Sequence, residues 1–354
     1  MKILDRYIAQ TVIASILLVL LVLVSLDSFV RLVRELDEVG VGDYTQTEML
    51  IYLALTTPYR VVQFFPITAL LGAIVGLGVL ASNSELVVLR SSGVSIFRIS
   101  LAVLKTGLLF IIAIMITSEF VVPFSEKYAE SRRSLKLAEQ TALQTKNGFW
   151  SRDAGSYLNI REVSPRGDLG DIYIYEFDEN HQLRNTTHAE KAVYEDGQWL
   201  LQGITQSQVD TSGITTRQLS GAQWDSLLNP GLVNIVVTDP LRLSIFDLYN
   251  YYHYLKDNGQ DAGRYELAFW VRVFSPLSIA VMFLLAVPFV FGPLRSVGIG
   301  QRIMVGFLVG LGFFLFNQTF NHLGTVYSLS PVMSASLPTG VFFIVTLILM
   351  RKRV

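Results

Sequence analysis

Long stretches without a formal charge decide what this chain can become. Residues 61–84 are uncharged between Arg60 and Glu85, residues 273–294 between Arg272 and Arg295, and residues 303–350 carry no formal charge at all. A helix crosses a bilayer in about 20 residues, so the last stretch holds two crossings, broken at residues 322–331. Residues 11–26 form another apolar run, which extends past Asp27 to about residue 32. Residues 96–122 form a further one, with Arg98 and Lys105 near its start, where long cationic side chains reach the interface. The pattern predicts six spans. No small-residue cleavage site follows the first run, and Asp27 and Arg31 continue its helical pattern, so it reads as a retained span rather than a signal peptide.

The remaining charge is concentrated between the third and fourth spans. Of the 57 charged residues, 34 fall within residues 125–266. Charged residues are only 16% of the chain, against about a quarter in soluble domains. Mean hydropathy is +0.45. A net charge of −1 offers nothing to a nucleic-acid backbone, and the absence of Cys excludes disulfides, thiolate metal sites and Cys nucleophiles.

Lys and Arg in short loops set the orientation. Lys2, Arg6, Arg90, Arg98, Arg295, Arg302, Arg351, Lys352 and Arg353 belong to one side, which the rule assigns to the cytoplasm. Arg31, Arg34 and Arg60 lie on the other, diluted by acids, and the polar block is external with them. That block reads as β. Residues 171–178 alternate apolar and polar, Asp196-Gly197 marks a tight turn, and further strands near 157–161, 198–201 and 215–219 suggest a sandwich or jelly roll. Helical connectors are expected at residues 126–144 and 245–258. The fold class is therefore an α+β membrane protein: spans 1–3 in residues 1–124, a β-jelly-roll domain in 125–262, and spans 4–6 in 263–354.

The motifs of self-contained catalysis are missing. There is no phosphate-binding Gly-x-x-x-x-Gly-Lys-Ser/Thr loop, no His-Glu-x-x-His helix and no Gly-x-Ser-x-Gly elbow, and the four His are isolated in sequence. No catalytic residue, metal or cofactor is expected in this chain. One short loop stands out instead. In residues 82–93, Ser82 followed by Glu85 reads as a capping box, and Gly93 as a stop. The expected product is a short amphipathic helix, about residues 83–93, in a cytoplasmic loop. In a protein without an ATPase motif, such a helix suits a grip on an ATPase subunit.

Several segments together, Leu4-Asp-Arg-Tyr-Ile8, Phe64-Phe-Pro66 with Leu70-Leu-Gly-Ala73, Ser84-Glu-Leu-Val-Val88, Gly259-Gln-Asp-Ala-Gly-Arg-Tyr265 and Phe291-Gly-Pro-Leu-Arg-Ser-Val297, make the chain resemble the lipopolysaccharide-export permease family LptF/LptG, and its LptG branch most. The resemblance runs over nearly the whole chain in the family's order. It implies an inner-membrane permease paired with an LptF-like permease on a cytoplasmic ATPase dimer, which binds the ATP. It also implies a single-span accessory subunit near span 1. Lipopolysaccharide would enter a cavity lined by spans 1, 2 and 5 and pass to jelly rolls that continue into a periplasmic bridge.

Site residues follow from the same resemblance. Arg31 matches a basic residue near lipid A phosphates, with Arg34 as a helper, although Asp37 and Glu38 stand where the family has further basic residues. The competing reading for Arg31 is i,i+4 pairing with Asp27 and Glu35. Phe64, Phe65, Phe307 and Phe314 are the aromatics available to acyl chains. Glu85, with Leu86, Leu89 and Arg90, would couple to the ATPase; Glu85 as a mere cap is the alternative. A permease for another lipid or lipoprotein, and a membrane-anchored scaffold, are the rival functions. A scaffold needs only one span.

Overall fold

The computed structural model describes residues 2–137, 143–153, 156–164, 168–178, 182–195, 198–210, 213–224, 239–291, 297–327 and 329–353. The Asp196-Gly197 turn, Arg295 and most of the 291–297 motif lie outside the described residues. Among those described, six helices are long and apolar enough to cross a membrane. They comprise α1 (Lys2–Glu35), α2 (Gln46–Ser82), α4 (Ile96–Ile116) with its extension, α7 (Gly263–Phe291), α8 (Ile299–Val326) and α9 (Pro331–Arg353). Polar residues start several elements. Thr45 accepts from the Glu48 amide, Ser95 from the Arg98 amide, and Ser244 from the Asp247 amide at the head of α6 (Ile245–Asp257).

The third span is longer than its apolar run. α4 passes through a π-turn, Thr117–Val121, directly into α5 (Val122–Leu137). At 1.5 Å per residue the combined 42-residue helix is about 63 Å long, twice the hydrocarbon thickness, so α5 projects beyond the apolar layer. The expected connector at residues 126–144 therefore ends early. Its last residues, from Leu143, belong to a strand, because Phe149 and Trp150 favour a pleated surface over a charged helix.

Between α5 and α6 runs an antiparallel sheet of strands β1 (Leu143–Asp153), β2 (Ser156–Val163), β3 (Leu169–Phe177), β4 (Leu183–Glu195), β5 (Gln198–Asp210) and β6 (Gly213–Trp224), paired in chain order. Leu158, Ile160, Ile172, Ile174, Ala189, Trp199 and Leu201 form its core. β6 is exposed along nearly its whole length. Asp171 of β3, at φ +49°, has its carboxylate 2.8 Å from His188 and 3.3 Å from Arg161. Burial raises the Asp171 pKa, but hydrogen bonds from His188 and Tyr173 and the charge of Arg161 outweigh it, and the net shift is downward.

The membrane core is built around α2. Nearly three quarters of its most apolar stretch is buried, against 11% for α1 and 22% for α8. Gly72 and Gly76 form a small-xxx-small pair. A Cβ at Gly72 would lie 2.6 Å from the Ile16 Cα, and one at Gly76 2.9 Å from the Val12 Cα, so α1 and α2 touch backbone to backbone. Gly72→Ala should thus force the helices apart and cost about 1–3 kcal/mol. Gly300→Ala, with nothing within 4 Å of its new Cβ, should be neutral. Thermal unfolding of the detergent-purified chain checks both.

Candidate functional site

The end of the bundle that carries the sheet gathers charge from α1, α2 and α5. Arg31 donates to Asp27 at 3.0 Å, one turn before it on α1. Arg60 of α2 is 7% exposed, and its Nε lies 3.7 Å from the same carboxylate without a hydrogen-bond partner among the described residues. Its Nη1 donates to Gln63 at 2.6 Å. Asp27 thus serves two guanidiniums. The expected Arg31–Glu35 pair does not form: Glu35 accepts from Arg133 of α5 and from the Tyr44 hydroxyl, because α5 projects over the end of α1. Arg133 also binds Glu38, and Arg132 grips Glu48 at 2.6 and 3.1 Å. Arg34 is exposed and joins no ion pair among the described residues.

The aromatic candidates separate. Phe65 is 1% exposed and packs against Phe110 with ring centroids 5.5 Å apart, which makes it a packing residue in this arrangement. Phe64 is half-buried, and Phe307 is exposed. Phe314 lines a cavity of about 150 Å³ with Tyr59, Gln63, Arg272, Asn317 and Asn321. The four do not share one chamber. Close by, Arg242 donates to Glu126 at 2.8 Å and stacks over Tyr59 at 5.5 Å. Burial lowers the Arg242 pKa, the Glu126 charge raises it, and the rise prevails.

At the opposite end lies α3 (Glu85–Ser91). Its capping differs from expectation. Ser82 is the last residue of α2, its hydroxyl turned back to the Val79 carbonyl, and the cap position belongs to Ser84, in a left-handed conformation without a side-chain cap. Because α2 continues to residue 82, no capping box can form. Glu85 instead accepts from the Asn83 amide group at 3.4 Å and faces the Tyr7 hydroxyl of α1. Gly93 does stop the helix, at φ +88°, with Val94 bonded back to the Leu89 carbonyl in a Schellman closure. Leu86 is 3% exposed and Leu89 packs beside it on the membrane core, so these two anchor α3. Val87, 51% exposed, Val88 and Arg90 form the outward face.

Sequence reasoning missed Arg60 and Arg302 because each looked like a boundary marker. Arg302 is instead buried and donates to the Gly78 carbonyl. For Arg60 the one available signal was a lone cation bordering an apolar run opposite Asp27. Asp27→Asn should strand the buried Arg60 and cost about 1–3 kcal/mol. Arg31→Ala removes a more accessible pair and should cost under about 1 kcal/mol. The difference is readable as two unfolding temperatures in detergent.

The lipopolysaccharide export system permease LptF/LptG family profile matches residues 6–352. Among curated relatives, the lipopolysaccharide export system permease protein LptG of Escherichia coli K12 is 40% identical over 359 residues, covering 99% of this chain and 98% of its own length. The same-named protein of Haemophilus influenzae is 38% identical over 353 residues, covering 99% of each. A match of that length takes in the spans, the α3 loop and the sheet together. The chain is a multi-pass membrane protein of the LptF/LptG permease family.

Proposed function

We propose that this chain is the permease subunit of an ABC transporter that extracts lipopolysaccharide from the inner membrane and passes it to a periplasmic bridge toward the outer membrane. The observation that carries the reading is the end-to-end match to relatives named for lipopolysaccharide export. The physical arrangement supports it. Exposing a lipid costs about 0.8 kcal/mol per methylene, so a multi-chain lipid needs an apolar surface throughout its path. The outward face of α1 is such a surface: Leu18, Leu21, Leu26 and Phe29 are all exposed. At its outer end stand the half-buried Arg31 and the exposed Arg34, whose guanidiniums suit lipid phosphates.

In this reading the termini and α3 are cytoplasmic and the sheet is periplasmic. A second, LptF-like permease completes the cavity, and a single-span subunit docks on α1. An ATPase dimer grips α3 and hydrolyses the ATP. The long exposed edge β6 receives the next periplasmic domain by strand addition.

Three experiments test this. Lipid mass spectrometry on the chain co-purified with its ATPase should find lipopolysaccharide; a lipoprotein or phospholipid in its place overturns the substrate. Glu85→Gln keeps the side chain's size but removes its charge. With no capping box to preserve, it should abolish ATP-driven release nearly as completely as Glu85→Ala, and wild-type release by the Gln variant would show that Glu85 does not couple. Arg31→Ala should slow release more than Arg34→Ala, and the reverse order would move the phosphate contact to Arg34.

A further inference from the structure

The sheet hangs from the membrane bundle by two stems, and one buried guanidinium holds both. The incoming stem is the π-turn with α5, and the outgoing stem is the 3-10 turn Pro240–Arg242 with α6. Arg272, 9% exposed on α7, donates from Nη1 to the Ser118 carbonyl at 2.7 Å and also meets the Ser118 hydroxyl. Its Nη2 donates to the Leu241 carbonyl at 3.0 Å. Glu119, the next residue of the π-turn, accepts from the amides of Ile245 and Phe246 at 2.8 and 3.4 Å. Those are the first two amides of α6, which have no partner within their own helix and favour an anion. Arg242 and Glu126 tie the stems together a second time.

The π-turn fits such a joint. A π insertion disturbs the regular backbone ladder and tends to mark working positions, and here it presents Ser118 and Glu119 to two different elements. α7 also reaches from the stems into the core. Its inner half packs into the core through Phe283, Leu285 and Val287, and Phe283 fills the space beside Gly107 of α4 so closely that a Cβ there would come within 2.7 Å. A displacement of α7 therefore reaches both stems at one point.

We propose that Arg272, with Glu119, is a positioning joint that makes the sheet move with α7. The inference rests on the transport reading for its purpose but not for its first test. The chain has no Cys, so single cysteines placed at Leu277 on α7 and Thr215 on β6, both exposed, label cleanly. In the full chain in lipid nanodiscs, spin-label distances should give one narrow distribution. Arg272→Lys keeps the charge but cannot span Ser118 and Leu241 together, and Glu119→Gln weakens the hold on α6; each should lose the narrow distribution. Lys105→Ala, which breaks the remote pair with Asp5, should keep it. If Arg272→Lys fails to fold, Glu119→Gln carries the test alone. Wild-type distributions in the variants that fold overturn the proposal. With the ATPase and partner permease present, the joint variants should also hydrolyse ATP yet lose lipopolysaccharide release. A wild-type complex that releases none counts against the transport reading and leaves the distance result standing.

Discussion

Every backbone amide and carbonyl inside a bilayer must find its partner within the protein, and this demand shapes the whole molecule. α2 meets it as an unbroken helix from Gln46 to Ser82, and α1, α7 and α8 pack against it. Its glycines let α1 approach to backbone contact at Ile16 and Val12. Dispersion over closely matched surfaces then holds helices that gain nothing from leaving lipid. The prolines at 58 and 66 of α2, and at 276 and 288 of α7, lie inside helices that persist because neighbouring helices restrain them.

Charge obeys the same demand by moving to the ends or finding a backbone carbonyl. Arg302 meets the Gly78 carbonyl at one end, and Arg272 meets Ser118 and Leu241 at the other. Where the chain leaves the apolar layer, acids and guanidiniums from α1, α2 and α5 interlock. This network ties the start of the sheet domain to the first two spans. It also places Arg31 and Arg60 around one carboxylate, so their free capacity for an anion depends on Asp27 as much as on either arginine.

The two ends do different work. α3 is a short helix held by Leu86 and Leu89, with Val87, Val88 and Arg90 left facing outward. The stems at the other end are pinned to α7. Between them run the long helices of the bundle, so the two ends are joined through the packed core around α2.

The amino-acid sequence by itself determined the six spans, the position of the β block between the third and fourth, and the Gly93 stop. Each depends on local chemistry: uncharged length, period-two alternation and a left-handed backbone position. It also carried the family, through motifs spread along the whole chain. Only the tertiary structure decided which residues meet. Ser82 lost its capping role because α2 runs on through it, Glu35 left Arg31 for Arg133 because α5 projects over α1, and Phe65 turned from candidate contact to core beside Phe110. Arg60, Arg272 and Glu119 became significant through partners 33, 154 and 126 positions away. Such pairings arise where helix ends converge in space, and no periodicity along the chain encodes them.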